Sequence, residues 1–200
     1  MTAFAHPRKT SLTAATGSDV VAAATATRAE ASAIALAVLR VAAGLVFLWA
    51  FLDKAFGFGY ATKAANAWVD GGSPTRGFLG RVAVGPLESV FHAMAGVWWA
   101  DWLFMLGLLG VGVAVTAGIG LRLAAVAGTV MMLLMWAAEW PLARFTSAGE
   151  PTMSTNPFID YHVVYALVLI VVAAAGAGVR WGLGRWWARL PIVRDHTWLR

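Results

Sequence analysis

Four stretches of this chain are apolar and nearly free of charge. Between Glu30 and Asp53 the one charged residue is Arg40. Twenty uncharged residues separate Asp101 from Arg122, 16 separate Arg122 from Glu139, and 19 separate Asp160 from Arg180. Hydrocarbon offers a backbone no hydrogen-bond partners, so a crossing segment must satisfy its own, and about 20 apolar residues in a helix span the layer. The pattern predicts an all-α integral membrane protein, a four-transmembrane-helix bundle with spans at about 32–52, 101–119, 121–141 and 159–179 within a domain over 32–180. Residues 1–31 read as a flexible cytoplasmic N-terminal tail, with a short amphipathic helix open near Val20 to Ala29, and 181–200 as a basic, aromatic cytoplasmic C-terminal tail.

The connections carry their own signals. Gly118-Ile119-Gly120 leaves almost no loop between the second and third spans, which makes them a tight antiparallel pair. The loop from Asp53 to Ala100 is long for a bundle, and long loops are often functional. Within it Gly71-Gly72-Ser73-Pro74 marks a turn, Gly85-Pro86 opens a short helix, and Leu87, Val90, Phe91 and Met94 recur at helical spacing. A second connection, Ser147 to Pro157, reads as an ordered or flexible cap without regular structure.

Composition agrees: 60% of residues are hydrophobic and 12% charged. The net charge of +5 is not clustered as a nucleic-acid face requires. Instead Arg180, Arg185, Arg189, Arg194 and Arg200 follow the last span, and Arg8, Lys9, Arg28 and Arg122 join them if both termini lie inside. Lys54, Lys63, Arg76, Arg81 and Arg144 fall on the other side, mostly in the long loop, where charges count little for orientation. A multi-pass protein of the plasma membrane with both termini cytoplasmic follows. Trp49, Trp98, Trp99, Trp102, Trp136 and Trp140 mark the outer boundary, and Trp181, Trp186 and Trp187 the inner one.

Cysteine is absent, which removes disulfides, thiolate-held metals and a cysteine nucleophile. No nucleotide-binding or hydrolase motif occurs, and no metal, haem or flavin site is evident. Candidate chemistry therefore rests on a few polar groups. Arg40 lies within the first span, either snorkelling to the interface or pointing inward to backbone carbonyls, the Thr129 hydroxyl or an anion. Asp53, Lys54, Asp101, Glu139, Asp160 and His162 are delivered to one level by all four helix ends. Glu139, pairing with Lys54 or protonated His162, reads as ion-pair glue or as a substrate or proton site. Met132, Met135, Trp136 and Trp140 flank it, a lining suited to a planar ligand or to ordinary packing. His162 suits proton shuttling near neutral pH.

Leu39-Arg40-Val41-Ala42-Ala43-Gly44-Leu45-Val46-Phe47 followed by Asp53-Lys54, with Trp136-Ala137-Ala138-Glu139-Trp140 and Asn156-Pro157-Phe158-Ile159-Asp160-Tyr161-His162, resembles the DoxX/DoxD family of small four-span membrane proteins over roughly Ala33 to Leu190. The resemblance implies a membrane-embedded oxidoreductase subunit passing electrons from thiosulfate or a related sulfur donor to quinone. Lys54, helped by Arg76 or Arg81, would hold the anion. Met132, Met135 and Trp136 would admit quinone, with Arg40 and Trp140 counted among the binding residues. Glu139 and His162 would handle protons, with Asp53 beside them. A small oxidoreductase subunit or soluble redox enzymes are the implied partners, and homo-oligomers fit the small residues on the spans. Two other readings stand beside it: a non-catalytic scaffold that anchors redox or thiol-stress enzymes, and a small anion transporter.

Overall fold

The computed structural model describes residues 17–199, so Arg8 and Lys9 of the expected N-terminal tail and Arg200 of the C-terminal one lie outside the described residues. The described chain is all helical apart from turns and one isolated bridge, Phe145 with Pro151. Helix α1 (Gly17–Phe56) runs 40 residues, about 60 Å at 1.5 Å per residue. Short helices α2 (Arg76–Leu79) and α3 (Glu88–Met94) occupy the long loop. Helices α4 (Trp98–Ala117), α5 (Leu121–Glu139) and α6 (Tyr161–Ala174) follow, then α7 (Gly184–Trp187) and α8 (Pro191–Asp195).

Three of these helices, α1, α4 and α5, are long and apolar enough to cross a membrane, and α6 is a shorter apolar helix. Helix α1 packs on α4 and α6, α4 on α5, and α5 on α6, closing a ring of four. Phe47, Met105, Leu108, Val111, Val115, Met132 and Leu169 are buried along the axis. Leu103, Leu106, Val126, Leu133, Leu134, Leu167 and Ile170 are exposed on the outside. An apolar exterior around an apolar core is what hydrocarbon accepts and water does not.

Glycine sets the helix spacing. A Cβ on Gly44 would meet the Thr116 hydroxyl at 2.4 Å and its amide nitrogen at 2.5 Å, and one on Gly112 would meet the Leu48 nitrogen at 2.7 Å. The α1 and α4 backbones therefore touch, as small residues permit in membrane helices. The α4–α5 turn is as tight as its sequence predicts. Gly118 (φ +73°) closes α4 while its own N–H and that of Ile119 bond to the Ala114 carbonyl, a left-handed cap that glycine adopts without strain.

Several boundaries differ from the sequence-based expectation. Helix α1 begins at Gly17, because its alanine-rich start has high helix propensity, and Thr25 and Thr27 bond back to the carbonyls four residues earlier. These first turns are exposed and extend beyond the bundle. Helix α6 stops at Ala174 instead of continuing to Val179. The chain unwinds at Gly176 (φ +61°), and Gly178 lies against the Gly118 carbonyl. In the long loop only Phe91 of the expected apolar stripe is fully buried on α3, while Leu87 and Val90 face outward. The segment after α5 takes the ordered form of the expected cap, without a helix: Thr146 N–H bonds to Glu150 O and Thr152 N–H to Arg144 O.

Candidate functional site

Ionisable groups gather at two depths. Near the end of the bundle away from the start of α1, Asp53 lies in the last turns of α1 and is 2% exposed. Its carboxylate accepts the N–H groups of Tyr60, Ala61 and Thr62 at 3.3, 3.0 and 2.9 Å. Asp101, on the first turn of α4, is also buried, and its Oδ1 accepts Ser73 Oγ (2.9 Å), Thr75 Oγ1 (2.6 Å) and Thr75 N–H (3.0 Å). Both carboxylates are consumed in pinning the long loop to its helices, a use that charged acceptors serve well.

Glu139 and the start of α6 are arranged differently. Asp160 caps α6: its Oδ1 accepts the Val163 N–H at 3.1 Å, while Oδ2 lies 2.8 Å from His162 Nδ1. His162 is 1% exposed, and its Nε2 is buried without a hydrogen-bond partner. Glu139 Oε2 stands 4.0 Å from the same Nδ1, and Glu139 Oε1 accepts the Tyr161 hydroxyl at 2.8 Å. The Tyr161 and His162 rings lie 4.0 Å apart between centroids. The Nε1 of Trp136, one turn before Glu139, is likewise buried and unpartnered. A cavity of about 460 Å³ opens on this cluster, lined by Glu139, Asp160, Tyr161 and Arg81 among others, with the 151–156 segment as one wall.

This geometry overturns one expectation from the sequence. Glu139, Asp160 and His162 bring one ligand atom each to within 4.8 Å of one another, a group able to hold a metal ion. One imidazole nitrogen with two carboxylate oxygens suits divalent zinc, manganese or iron. The sequence brought these residues to one level, but the approach of their ligand atoms was set by packing, since Glu139 ends α5 while the other two begin α6.

The remaining expected residues are distributed around the bundle. Lys54 lies over the Phe104 ring, 5.9 Å from its centroid, and forms no ion pair with Glu139 or His162. Arg81 lines the cavity, with its Nε donating to the Gly77 carbonyl. Arg76 does not line it; its guanidinium lies against Gly96. Met132 is core, Met135 is packed against that core, and Trp136 and Trp140 stack edge to face at 5.6 Å.

Arg40 points inward and is fully buried. Its Nη1 donates to the carbonyls of Val115 (2.7 Å) and Thr116 (2.5 Å), and its Nη2 to those of Trp181 (2.8 Å) and Arg180 (3.4 Å). The cation thus meets the negative end of α4 and the unwound strand after α6. The Arg180 side chain in turn pairs with Glu30 on α1. Of the partners open from sequence, backbone carbonyls hold both Nη atoms, while Arg40 Nε is buried without a partner. Thr129 Oγ1 has no hydrogen-bond partner.

The fold and this cluster define an all-helical protein of membrane-spanning character, with a histidine–carboxylate group under a cavity of mixed polarity. No protein-family model, curated protein or solved structure matches the chain.

Proposed function

We propose that the chain is a four-span membrane oxidoreductase subunit of the DoxX/DoxD type, in which His162 passes protons between the loop cavity and a quinone. The observation that carries this reading is the two-sided environment of one ring. Nδ1 faces Asp160 and Glu139, and Nε2, on the opposite edge, is buried without a partner. Buried polar atoms are nearly always satisfied, so an unpaired nitrogen speaks for a polar ligand group at that position. A quinone oxygen or quinol hydroxyl supplies one.

Two thiosulfate ions joining through an S–S bond release two electrons, and the quinone takes these with two protons to become quinol. Imidazole can gain a proton at Nδ1 and release one at Nε2, and Asp160 stabilises the imidazolium formed in passing. Glu139, 38% exposed at the cavity, exchanges protons with solvent. Arg81 is the cation placed to attract a sulfur oxyanion there, in place of Lys54 and Arg76. A small oxidoreductase subunit, whose cofactor would carry the electrons, completes the system.

Helix α6, with the unwound residues that follow it, forms the fourth crossing in this reading. The Glu30–Arg180 pair puts the start of α1 and the C-terminal segment at one end, and the arginines there support a cytoplasmic reading of that end in a plasma membrane. The alternative scaffold reading needs a free docking arm, whereas residues 183–199 are folded back on the bundle through Leu183 N–H to Ala117 O and Arg122 to Thr197 O.

The test is reduction of a short-chain quinone by thiosulfate, sulfite or a dithiol, using protein in liposomes with and without its co-purified partner. Activity lost in His162→Ala with the thermal melt retained supports the reading. Absence of both quinone reduction and quinone binding overturns it.

A further inference from the structure

The segment after α6 forms a folded platform. Val193 is completely buried, Arg122 Nη1 donates to the Thr197 carbonyl at 3.1 Å, and Trp187 Nε1 donates to the Leu199 carbonyl at 2.6 Å. Trp181, Trp186, Ile192 and Trp198 project from it, each more than half exposed. Arg185 and Arg189 are exposed too, four positions apart across the turn closed by Ala188 N–H on the Gly184 carbonyl. Neither guanidinium has a hydrogen-bond or ion-pair partner among the described residues. Asp195, the one acid in residues 181–199, sits against Arg194.

The platform is continuous with the outer surface of the bundle. Trp187 closes the foot of an apolar groove of about 310 Å³ between α4 and α5, walled by Leu106, Gly110, Ala114, Leu123 and Ala127. Gly110 has open space where a Cβ would stand. Arg185 and Arg189 stand two positions before and after Trp187, the residue that closes the foot of this apolar trough.

We propose that this surface binds an anionic phospholipid: Arg185 and Arg189 take its phosphate, and an acyl chain lies in the α4–α5 groove. Guanidinium matches phosphate through paired N–H donors, and exposed tryptophan favours the headgroup level. A soluble acidic partner accounts for the arginines and leaves the groove empty. A lipid accounts for both.

The experiment uses the full-length chain in mild detergent, with retained lipid read by native mass spectrometry for phosphatidylglycerol against phosphatidylcholine. Juxtamembrane arginines each favour anionic lipid by roughly fivefold, so phosphatidylglycerol is expected to be held about 5- to 25-fold better at 0.1 M salt. Arg185→Gln with Arg189→Gln abolishes that preference while the melting temperature holds; each single variant lowers it about fivefold, which keeps the test valid if the double variant misfolds. Gly110→Leu fills the groove and reduces retention of both lipids together. Equal retention of the two lipids by the unmodified chain overturns the proposal, as does a preference that survives both arginine changes. Displacement of the lipid by inorganic phosphate at matched concentration also overturns it, since the site would then recognise a free anion.

Discussion

Asp160 serves His162 and its own helix at once: one oxygen caps α6 at the Val163 N–H, and the other holds the imidazole Nδ1 at 2.8 Å. The two roles separate by substitution. Asp160→Asn keeps an oxygen for the cap and loses the charge that stabilises an imidazolium. Quinone reductase activity is expected to fall at least tenfold, with the melt lowered by no more than a degree or two. Asp160→Ala loses the cap as well, and about 1 kcal/mol with it. Calorimetry beside the activity assay checks both; full activity in Asp160→Asn, with stability lost only in Asp160→Ala, would leave Asp160 a cap alone.

Glu139→Gln keeps an oxygen to accept the Tyr161 hydroxyl. Because Glu139 has no lysine or arginine partner and is part-exposed, its charge contributes little to stability, and the variant is expected to melt within a degree of the parent. Activity should drop by an order of magnitude or more. A melt several degrees lower with activity intact would restore Glu139 as structural glue.

Arg40→Ala removes the donor from four carbonyls and opens a hole at the end of α4. Loss of a buried charged hydrogen-bonding group costs about 3–5 kcal/mol. The platform it tethers should loosen, so limited trypsin digestion at Arg185 and Arg189 is expected to accelerate at least tenfold. Arg40→Lys, which reaches fewer carbonyls, should fall between.

Gly112→Ala places a methyl 2.7 Å from the Leu48 backbone nitrogen. Neither backbone can yield cheaply, and overpacking of this kind costs about 1–3 kcal/mol. Gly110→Ala, with open space at its Cβ, is the matched control and should melt with the parent. Thermal shift in detergent measures the pair; similar melts for both would mean that α1 and α4 separate freely.

The uncharged runs by themselves determined the all-helical, membrane-type fold, because a segment of that length and polarity has few other stable states. Gly118-Ile119-Gly120 likewise determined the α4–α5 turn, since a left-handed cap needs glycine locally. Burial of Arg40 was open, because snorkelling and inward placement use the same sequence position; the unwound strand after α6, which carries two of its four acceptors, decided it. Asp53 and Asp101 share a level with Glu139 in the sequence, yet loop amides and hydroxyls occupy the first two and leave the third at a cavity. The sequence brought Glu139, Asp160 and His162 to one level, but not their metal-holding closeness: ligand spacing is readable when one helix or turn supplies the atoms, and here antiparallel α5 and α6 supply them together. Local chemistry chose the helices, and packing between helices chose which polar atoms stayed unpaired.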